Sequence, residues 1–488
     1  MDTFYSRYSR LGFFFALTLL SVISANAVES SPPHILYINA DDLGVMDVGY
    51  NSRDTFQTPN IDRLAAEGMR FTNAYAPAAN CAPSRACVHS GQWAPRHGVY
   101  TVGSSERGSS ATRRLIPTPN TLFLPAQQFT MAEALKSSGY KTIHLGKYHI
   151  GKNPLEDGFD VNVGGDQNGS PTGGYYSPWK KSAMKSWTDQ IEQHPTHRVD
   201  VFADQAVEFM RENVSGPMFI HFSPYLVHSP LTAVPEFVDG YADKGIDPRY
   251  GSMVQKLDQA IGRLLDALDA LKIADQTLVI FSSDNGGIAA VHPQAPFRAG
   301  KGSYYDGGIR EPMVARWPGK IRSGSVCSQV VNTIDLFPTF VDVSQTSLPS
   351  QVALDGASLL PLLTESGEWT PRTQYWHFPV YLQKYRGVED QSRDPLYRTR
   401  PGSAMRDGKW KLHEYFEDGS VELYDLETDP GERNNLSSTR PEVRTQLYQK
   451  LVNWRKSVNA PVPSEKNPKF NPEKERKGIQ EALEKARR

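Results

Sequence analysis

Short apolar runs alternate with amphipathic stretches along most of the chain. Runs rich in β-forming residues predict buried strands at 34–40, 141–146, 217–222 and 277–283. Stretches with apolar residues at helical spacing predict helices at 61–69, 129–140, 199–213 and near 250–272. Continuous apolar strands that alternate with helices are typical of a mostly parallel sheet covered on both faces. The pattern therefore predicts an α/β fold with a large, mostly parallel or mixed sheet sandwiched by helices.

The pattern changes near residue 375. Short alternating strands with Asp-Gly turns predict a small antiparallel sheet, and the amphipathic stretch after it predicts a helix at 441–458. The end of the chain is dense in Lys and Glu and predicts a solvated or frayed tail. We therefore divide the chain into a larger N-terminal domain at 28–372, a smaller domain of antiparallel sheet and helix at 373–460, and a charged tail at 461–488.

The first 27 residues have the pattern of a secretory signal peptide. Arg7 and Arg10 precede the apolar run LGFFFALTLLSVIS, and Ala25-Asn26-Ala27 fits a small-residue cleavage site. No later stretch is apolar for long enough to cross a bilayer. We therefore expect an exported protein, periplasmic or secreted, without a membrane span after removal of the signal.

The charge balance and the cysteine count limit which ligands and which cysteine chemistry are expected. With 53 basic and 54 acidic side chains the net charge is −1, which gives no footprint for nucleic acid. Three cysteines are an odd number for an oxidising compartment. Cys81 and Cys87 lie six apart in the polar segment AANCAPSRACVHSGQ. If Cys81 takes part in a reaction, Cys87 and Cys327 remain as a disulfide pair or as two buried thiols.

Polar side chains follow all four predicted strands, and in an open parallel sheet the carboxyl ends of the strands form the binding edge. These side chains are Asp41 and Asp42, Lys147 and His149, His228, and Asp284 and Asn285. Clustered carboxylates need a cation, and oxygen ligands suit Ca²⁺ or Mg²⁺. The alternative is that the aspartates cap a helix and the Asp284-Asn285 pair forms a turn.

The segment Cys81-Ala-Pro-Ser-Arg85 resembles the signature of the type I sulfatases, which belong to the alkaline phosphatase superfamily. In that family the cysteine is oxidised after translation to Cα-formylglycine (3-oxoalanine). Further family motifs follow in order: NADD at 39–42, GKYH at 146–149, VHSP at 227–230, SDNG at 283–286 and KGSYYDGGIR at 301–310. The resemblance runs from about residue 34 to about residue 455. Val88, Ser90 and Asp306 depart from the usual Leu or Met, Thr and Glu, and none of them has a direct role.

The resemblance implies a sulfuric ester hydrolase that acts on sulfate monoesters. Its implied metal, Ca²⁺ or Mg²⁺, is bound by Asp41, Asp42, Asp284, Asn285 and the modified Cys81. The implied partners are a sulfated small molecule or glycan and a formylglycine-generating maturation enzyme, which recognises Cys81, Pro83 and Arg85.

The resemblance also implies the catalytic roles. Arg85 holds the formylglycine hydrate, while Lys147 and Lys301 bind sulfate oxygens. One hydroxyl of the hydrate attacks sulfur, His228 protonates the leaving alcohol, and His149 accepts the proton of the second hydroxyl so that sulfate leaves. An unmodified Ser or Cys lacks that second hydroxyl and stays sulfated.

Two long polar loops, at 101–120 and 163–179, favour a sulfated sugar as the substrate, and the first carries Arg107, Arg113 and Arg114. His377 in YWHFP stands where related carbohydrate sulfatases contact substrate, so we expect a substrate contact there. His144 and His221 lie inside predicted strands and are expected to be structural.

Two alternatives to a sulfatase stay open at this point. One is a phosphonate monoester or phosphodiester hydrolase of the same superfamily. The other is an inactive protein that binds sulfated glycans, although such a protein would be expected to have lost some of Cys81, Arg85, His149 and His228.

Overall fold

The fold consists of a large sheet, a small sheet, a two-stranded ribbon and the helices packed on them. The computed structural model describes residues 32–486 except 53, 180–183, 192, 194 and 386–389, so the predicted signal peptide lies outside the described residues. The strands are β1 (His34–Ala40), β2 (Met69–Tyr75), β3 (Lys141–Gly146), β4 (Val161–Val163), β5 (Met218–Ser223), β6 (Thr277–Ser283), β7 (Met313–Arg316), β8 (Ser325–Asn332), β9 (Gln374–Phe378), β10 (Leu382–Gln383), β11 (Tyr397–Thr399), β12 (Gly402–Asp407), β13 (Trp410–Tyr415) and β14 (Val421–Asp425). The α-helices are α1 (Gly49–Ser52), α2 (Pro59–Glu67), α3 (Cys81–Ser90), α4 (Met131–Ser137), α5 (Lys185–Thr188), α6 (Arg198–Asn213), α7 (Pro248–Ala270), α8 (Asp306–Ile309), α9 (Leu336–Ser344), α10 (Leu360–Leu363), α11 (Pro441–Ser457) and α12 (Pro472–Ala486).

The large sheet has eight strands in the order β4-β3-β5-β1-β6-β7-β2-β8. Strand β7 runs antiparallel to both of its neighbours, and the other pairs are parallel. Helices α2, α6 and α7 pack on one face, and α3, α4 and α9 pack on the other. Every residue of β1, β5 and β6 is buried, as expected for strands covered on both faces. The predicted mixed sheet sandwiched by helices is confirmed.

The small sheet is antiparallel, with strand order β14-β13-β12-β9, and β10 pairs with β11 in a separate ribbon. Helix α11 packs on this sheet through Leu447, Leu451 and Trp454. The sheet contacts the end of β2, where the indole of Trp376 donates to the carbonyl of Ala76 at 2.9 Å. The predicted antiparallel sheet and helix are therefore present, while the exact domain boundaries stay a prediction.

A buried ion cluster joins the small sheet to the loop before β7. The ammonium of Lys411 lies 2.7 Å from Asp306 and 3.0 Å from Glu432, and all three side chains are fully buried. Glu432 also accepts the backbone N–H of Asp306 at 2.6 Å. Asp306 starts α8, five residues after Lys301, so this cluster fixes the backbone of the loop that carries Lys301.

Replacing Lys411 by methionine is expected to lower the free energy of unfolding by about 3 kcal/mol, because two buried carboxylates lose the ammonium group that they share. Urea unfolding measures this loss. Lys409→Met is the matched control, since Lys409 pairs with Asp425 at the surface and its loss should leave stability close to that of the unchanged protein. Equal midpoints for the two variants would contradict a stabilising role for the cluster.

Two segments differ from the prediction. The polar segment around Cys81, for which the pattern predicts no helix or strand, forms helix α3, whose ten residues are all buried. The end of the chain is not a frayed tail, because α12 docks through the buried Glu475, which pairs with Arg114 at 2.9 Å and Arg400 at 3.2 Å. Both segments place charged side chains in buried pairs, which local composition does not reveal.

No helix within the described part of the chain is both long and apolar enough to cross a membrane.

Candidate active site

The site lies at the carboxyl ends of β1 and β6, which are neighbouring parallel strands. Ala40 pairs with Ser283 at the last position of both strands, so the acidic residues that follow them are adjacent. The N–H of Asp284 donates to the carbonyl of Ala40 at 3.0 Å, and the N–H of Asp42 donates to the carboxylate of Asp284 at 3.1 Å. Carboxylate oxygens of Asp41, Asp42 and Asp284 lie within 4.8 Å of one another. The predicted convergence of strand ends is thus present in the structure.

The donor set fits a hard divalent cation. The three carboxylates are almost completely buried. The side-chain amide nitrogen of Asn285 donates to Asp42 at 2.9 Å. The side-chain oxygen of the same amide is buried without a hydrogen-bond partner among the described residues. An orphaned amide oxygen beside three carboxylates is the ligand set that Ca²⁺ or Mg²⁺ binds in proteins. The alternative of a helix cap and a turn does not account for this orphaned oxygen.

Two buried lysines from other segments complete the charge balance. The ammonium of Lys147, which follows β3, contacts both oxygens of Asp41 at 2.8 Å. The ammonium of Lys301 lies 2.6 Å from Asp42 and 3.1 Å from the sulfur of Cys81. Both cations therefore point into the centre of the site, where an anionic group can be held.

Cys81 begins α3 and is 2% exposed. Burial raises the pKa of its thiol, but Lys147 and Lys301 outweigh burial and lower the pKa to about 6. Its sulfur, a ring nitrogen of His228 and a carboxylate oxygen of Asp41 all lie within 4.8 Å of one another. Cys81 thus occupies the centre of the cluster.

Arg85 lies one turn along α3 and ties three strand ends together. It donates to Asp284 at 2.8 Å, to the carbonyl of Lys147 at 2.9 Å and to the hydroxyl of Ser223 at 2.5 Å. Its second terminal nitrogen is buried without a partner among the described residues. Sequence reasoning missed Ser223, the last residue of β5, because a serine at a strand end carries no motif.

The two predicted catalytic histidines lie on different loops. One ring nitrogen of His228 donates to the carbonyl of Ser229 at 2.6 Å, and the other lies 3.8 Å from Asp42. Burial and the neighbouring cations, Lys147 first, hold the pKa of His149 well below its usual value, so this ring stays neutral. A side chain at Gly169 would meet the His149 ring at 2.4 Å, so the loop after β4 packs directly against it.

Other predicted residues lie apart from the cluster. His377 is buried, and its two ring nitrogens contact the Ser403 hydroxyl and the Pro461 carbonyl at 2.8 Å. Because both nitrogens are already bonded, the expected substrate contact at His377 is not supported. His144 and His221 contact one another at 3.0 Å inside the sheet, which fits the structural role expected for them.

The cysteines other than Cys81 are buried and free. Cys87 contacts the ring of His97 at 3.4 Å, and Cys327 lies in the core on β8. The two buried thiols, rather than a disulfide pair, match the structure.

Comparisons with known proteins place this site in a family. Residues 33–346 match the family model described as Sulfatase, and residues 300–457 match that described as N-sulphoglucosamine sulphohydrolase, C-terminal. The N-acetylgalactosamine-6-sulfatase of Canis lupus familiaris is 31% identical over 87% of this chain and 86% of its own length. Arylsulfatase A of Homo sapiens is 30% identical over 88% of this chain and 89% of its own length. The chain belongs to the sulfatase family and is a sulfuric ester hydrolase, as the sequence predicts.

A solved structure has a similar fold. The crystal structure of Ps i-CgsB in complex with k-i-k-neocarrahexaose superposes with a TM-score of 0.73 at 26% sequence identity. The match covers 93% of this chain and 98% of that one. The similarity therefore extends over nearly the whole of both chains.

Proposed function

We propose that this sulfatase removes sulfate from a sulfated carbohydrate after Cys81 has been converted to Cα-formylglycine by a maturation enzyme. The observation that carries the proposal is the position of Cys81. Its sulfur lies 3.1 Å from the Lys301 ammonium, in the cluster with Asp41 and His228. A nucleophile derived from residue 81 would meet a sulfate group surrounded by fixed positive charge, which is the environment that transfer of such an anion needs.

We assign the metal to Asp41, Asp42, Asp284 and Asn285, with residue 81 as a further ligand. Calcium is the preferred ion, and magnesium is the alternative, because all four side-chain ligands offer oxygen. When bound, the ion supplies positive charge that polarises the sulfate and lowers the energy of the developing negative charge. Lys147 and Lys301 bind the remaining sulfate oxygens in this assignment.

We assign the proton transfers to the two histidines. His228 donates from one ring nitrogen to the Ser229 carbonyl, and this hydrogen bond orients the ring. The other ring nitrogen then faces the carboxylates of the site, and it gives the leaving alcohol its proton. His149 is kept neutral, so it is able to accept the proton of the second hydroxyl at residue 81. Formylglycine hydrate supplies two hydroxyls on one carbon, and Arg85 holds it in place.

Support for a carbohydrate substrate comes from two relatives. One carries the name of a sugar sulfatase, N-acetylgalactosamine-6-sulfatase, and the other was crystallised with k-i-k-neocarrahexaose. The loops at 101–120 and 163–179 are rich in polar residues, and the second packs against His149 at Gly169. Export to the periplasm or the medium is part of the proposal and depends on the signal-peptide pattern of residues 1–27.

The test is a substrate panel on protein co-expressed with a maturation enzyme. The panel contains 4-nitrophenyl sulfate, an aryl phosphonate monoester, and sulfated mono- and oligosaccharides, with released sulfate as the readout. We expect turnover of the aryl sulfate and faster turnover of at least one sulfated sugar. Hydrolysis of the phosphonate without sulfate release would favour the phosphonate hydrolase, and inactivity on every sugar would contradict the carbohydrate assignment.

A further inference from the structure

The three arginines of the loop at 101–120 have different environments. Arg114 pairs with Glu475 on α12. Arg113 donates to the carbonyls of Glu106 and Gly108 at 2.6 and 2.9 Å and pairs with the Glu106 carboxylate at 2.8 Å. Arg107 lies between those two carbonyls, and its side chain makes no hydrogen bond or ion pair with any described residue. Arg113 therefore holds the loop around an arginine that has no carboxylate partner among the described residues.

Backbone contacts join the segment that contains Arg107 to the ribbon of β10 and β11. The N–H of Tyr381 donates to the carbonyl of Ser105 at 3.0 Å, and Glu106 lies opposite Tyr381 in a parallel bridge. Tyr381 directly precedes β10, which pairs with β11. The ribbon thereby brings Arg398, on β11, next to the loop.

Arg398 is a second arginine without a carboxylate partner among the described residues. It is 7% exposed and donates only to backbone carbonyls, that of Lys301 at 3.0 Å and that of Gln383 at 3.1 Å. Its guanidinium lies 4.1 Å from the ring centre of Tyr385, whose side chain is partly exposed. Arg398 thus contacts the backbone of Lys301, the residue whose ammonium contacts Cys81.

The charges of Arg398 and Cys81 both act on Arg107. The pKa of Arg107 is lowered, first by burial and then by Arg398, while Tyr385 and Cys81 act in the opposite direction. Two like charges held close together without a counterion are a costly arrangement unless a ligand brings the opposite charge. Guanidinium groups match carboxylate and sulfate oxygens with paired hydrogen bonds.

We propose that Arg107 and Arg398 form a second anion site beside Cys81, which binds a second negatively charged substituent of the sugar. This inference rests on the proposed carbohydrate sulfatase function and narrows its substrate to glycans with two anionic groups near one another. The second group is either another sulfate ester or a uronic acid carboxylate. Arg113 is the positioning residue that holds the loop around Arg107.

The test compares Arg107→Met with the unchanged protein on matched substrates. These are 4-nitrophenyl sulfate, N-acetylgalactosamine 6-sulfate, its 4,6-disulfate, and a 6-sulfated disaccharide that carries a uronate. We expect Arg107→Met to lower kcat/KM for a doubly anionic sugar about 10- to 100-fold, with less than about a threefold change for singly charged substrates. Arg107→Lys should give a kcat/KM between those of Arg107→Met and the unchanged protein, because a lysine keeps the positive charge but cannot form the paired hydrogen bonds. Whichever of the last two substrates responds identifies the second anion.

Arg114→Met is the control, because it removes an arginine of the same loop that already has a carboxylate partner. The inference is overturned if Arg107→Met leaves the ratio of doubly to singly anionic substrates within about twofold of the original. Where a sugar is not turned over, its inhibition of 4-nitrophenyl sulfate hydrolysis gives the same comparison. Absence of sulfate release from every sulfate ester in the set would instead contradict the proposed function, and calorimetric binding of the disulfated sugar to both proteins would still test the anion site.

Discussion

Cys81→Ser is expected to lower kcat for a sulfate ester at least about 10³-fold, equivalent to about 4 kcal/mol in the activation free energy. A serine offers one hydroxyl, so its attack on sulfur forms an O–S bond and releases the alcohol, but no second hydroxyl remains to expel sulfate. The first turnover therefore leaves a sulfated enzyme. Steady-state release of sulfate measures the loss, and mass spectrometry of the intact protein should find the added mass of one SO₃ group.

Cys87→Ser is the matched control for this variant. Cys87 lies on the same buried helix, six residues later, and its sulfur contacts the ring of His97. A serine there should keep that contact and retain activity close to that of the unchanged protein. Full activity of Cys81→Ser would show that residue 81 is not the nucleophile, and loss in both variants would point to the helix instead.

The strand ends could be predicted because a parallel sheet brings them to one edge. Asp41, Lys147 and Asp284 each follow a predicted strand directly. Their positions in the sequence were therefore enough to predict that they lie at the same edge of the sheet. Helix α4 begins two residues later than predicted, since Thr130 caps it and Glu133 reaches back to the Thr130 N–H. That Thr-x-x-Glu spacing is readable in the sequence and would have corrected the boundary.

Other features depend on contacts between distant parts of the chain. Helix α3 has no amphipathic pattern, because it is buried on all sides and its polar side chains, Arg85 among them, serve the site. The sequence predicts that His377 contacts substrate, but its ring is hydrogen-bonded to the carbonyl of Pro461, which lies 84 residues away. The difference between Arg107 and Arg114 likewise depends on Glu475, far along the chain. The local sequence pattern cannot show whether such a polar side chain is paired or available to a ligand, because its hydrogen-bond or ion-pair partner lies in a distant part of the chain.

Asp42→Asn is expected to abolish calcium binding and to lower turnover at least about 10³-fold. The Asp42 carboxylate contacts Lys301 and accepts from Asn285, and the Asp42 backbone N–H donates to the Asp284 carboxylate, so Asp42 occupies the middle of the ligand set. The unchanged protein, stripped with a chelator, should gain thermal stability when calcium is added, by about 2.7 kcal/mol at a hundredfold excess over Kd. The variant should show no such gain, because one of three carboxylates has lost its charge.

Asp258→Asn separates loss of the metal from general loss of stability. Asp258 is also a buried aspartate, but it accepts hydrogen bonds from Asn60 and Ile61 at the start of α2, away from the carboxylate cluster. Its replacement should lower the melting temperature and leave the calcium-dependent gain intact. If Asp42→Asn keeps the full calcium response, the cluster is not the metal site. If the chelated, unchanged protein retains full turnover, the ion is not required, and Lys147, Lys301 and Arg85 alone supply the positive charge that the sulfate needs.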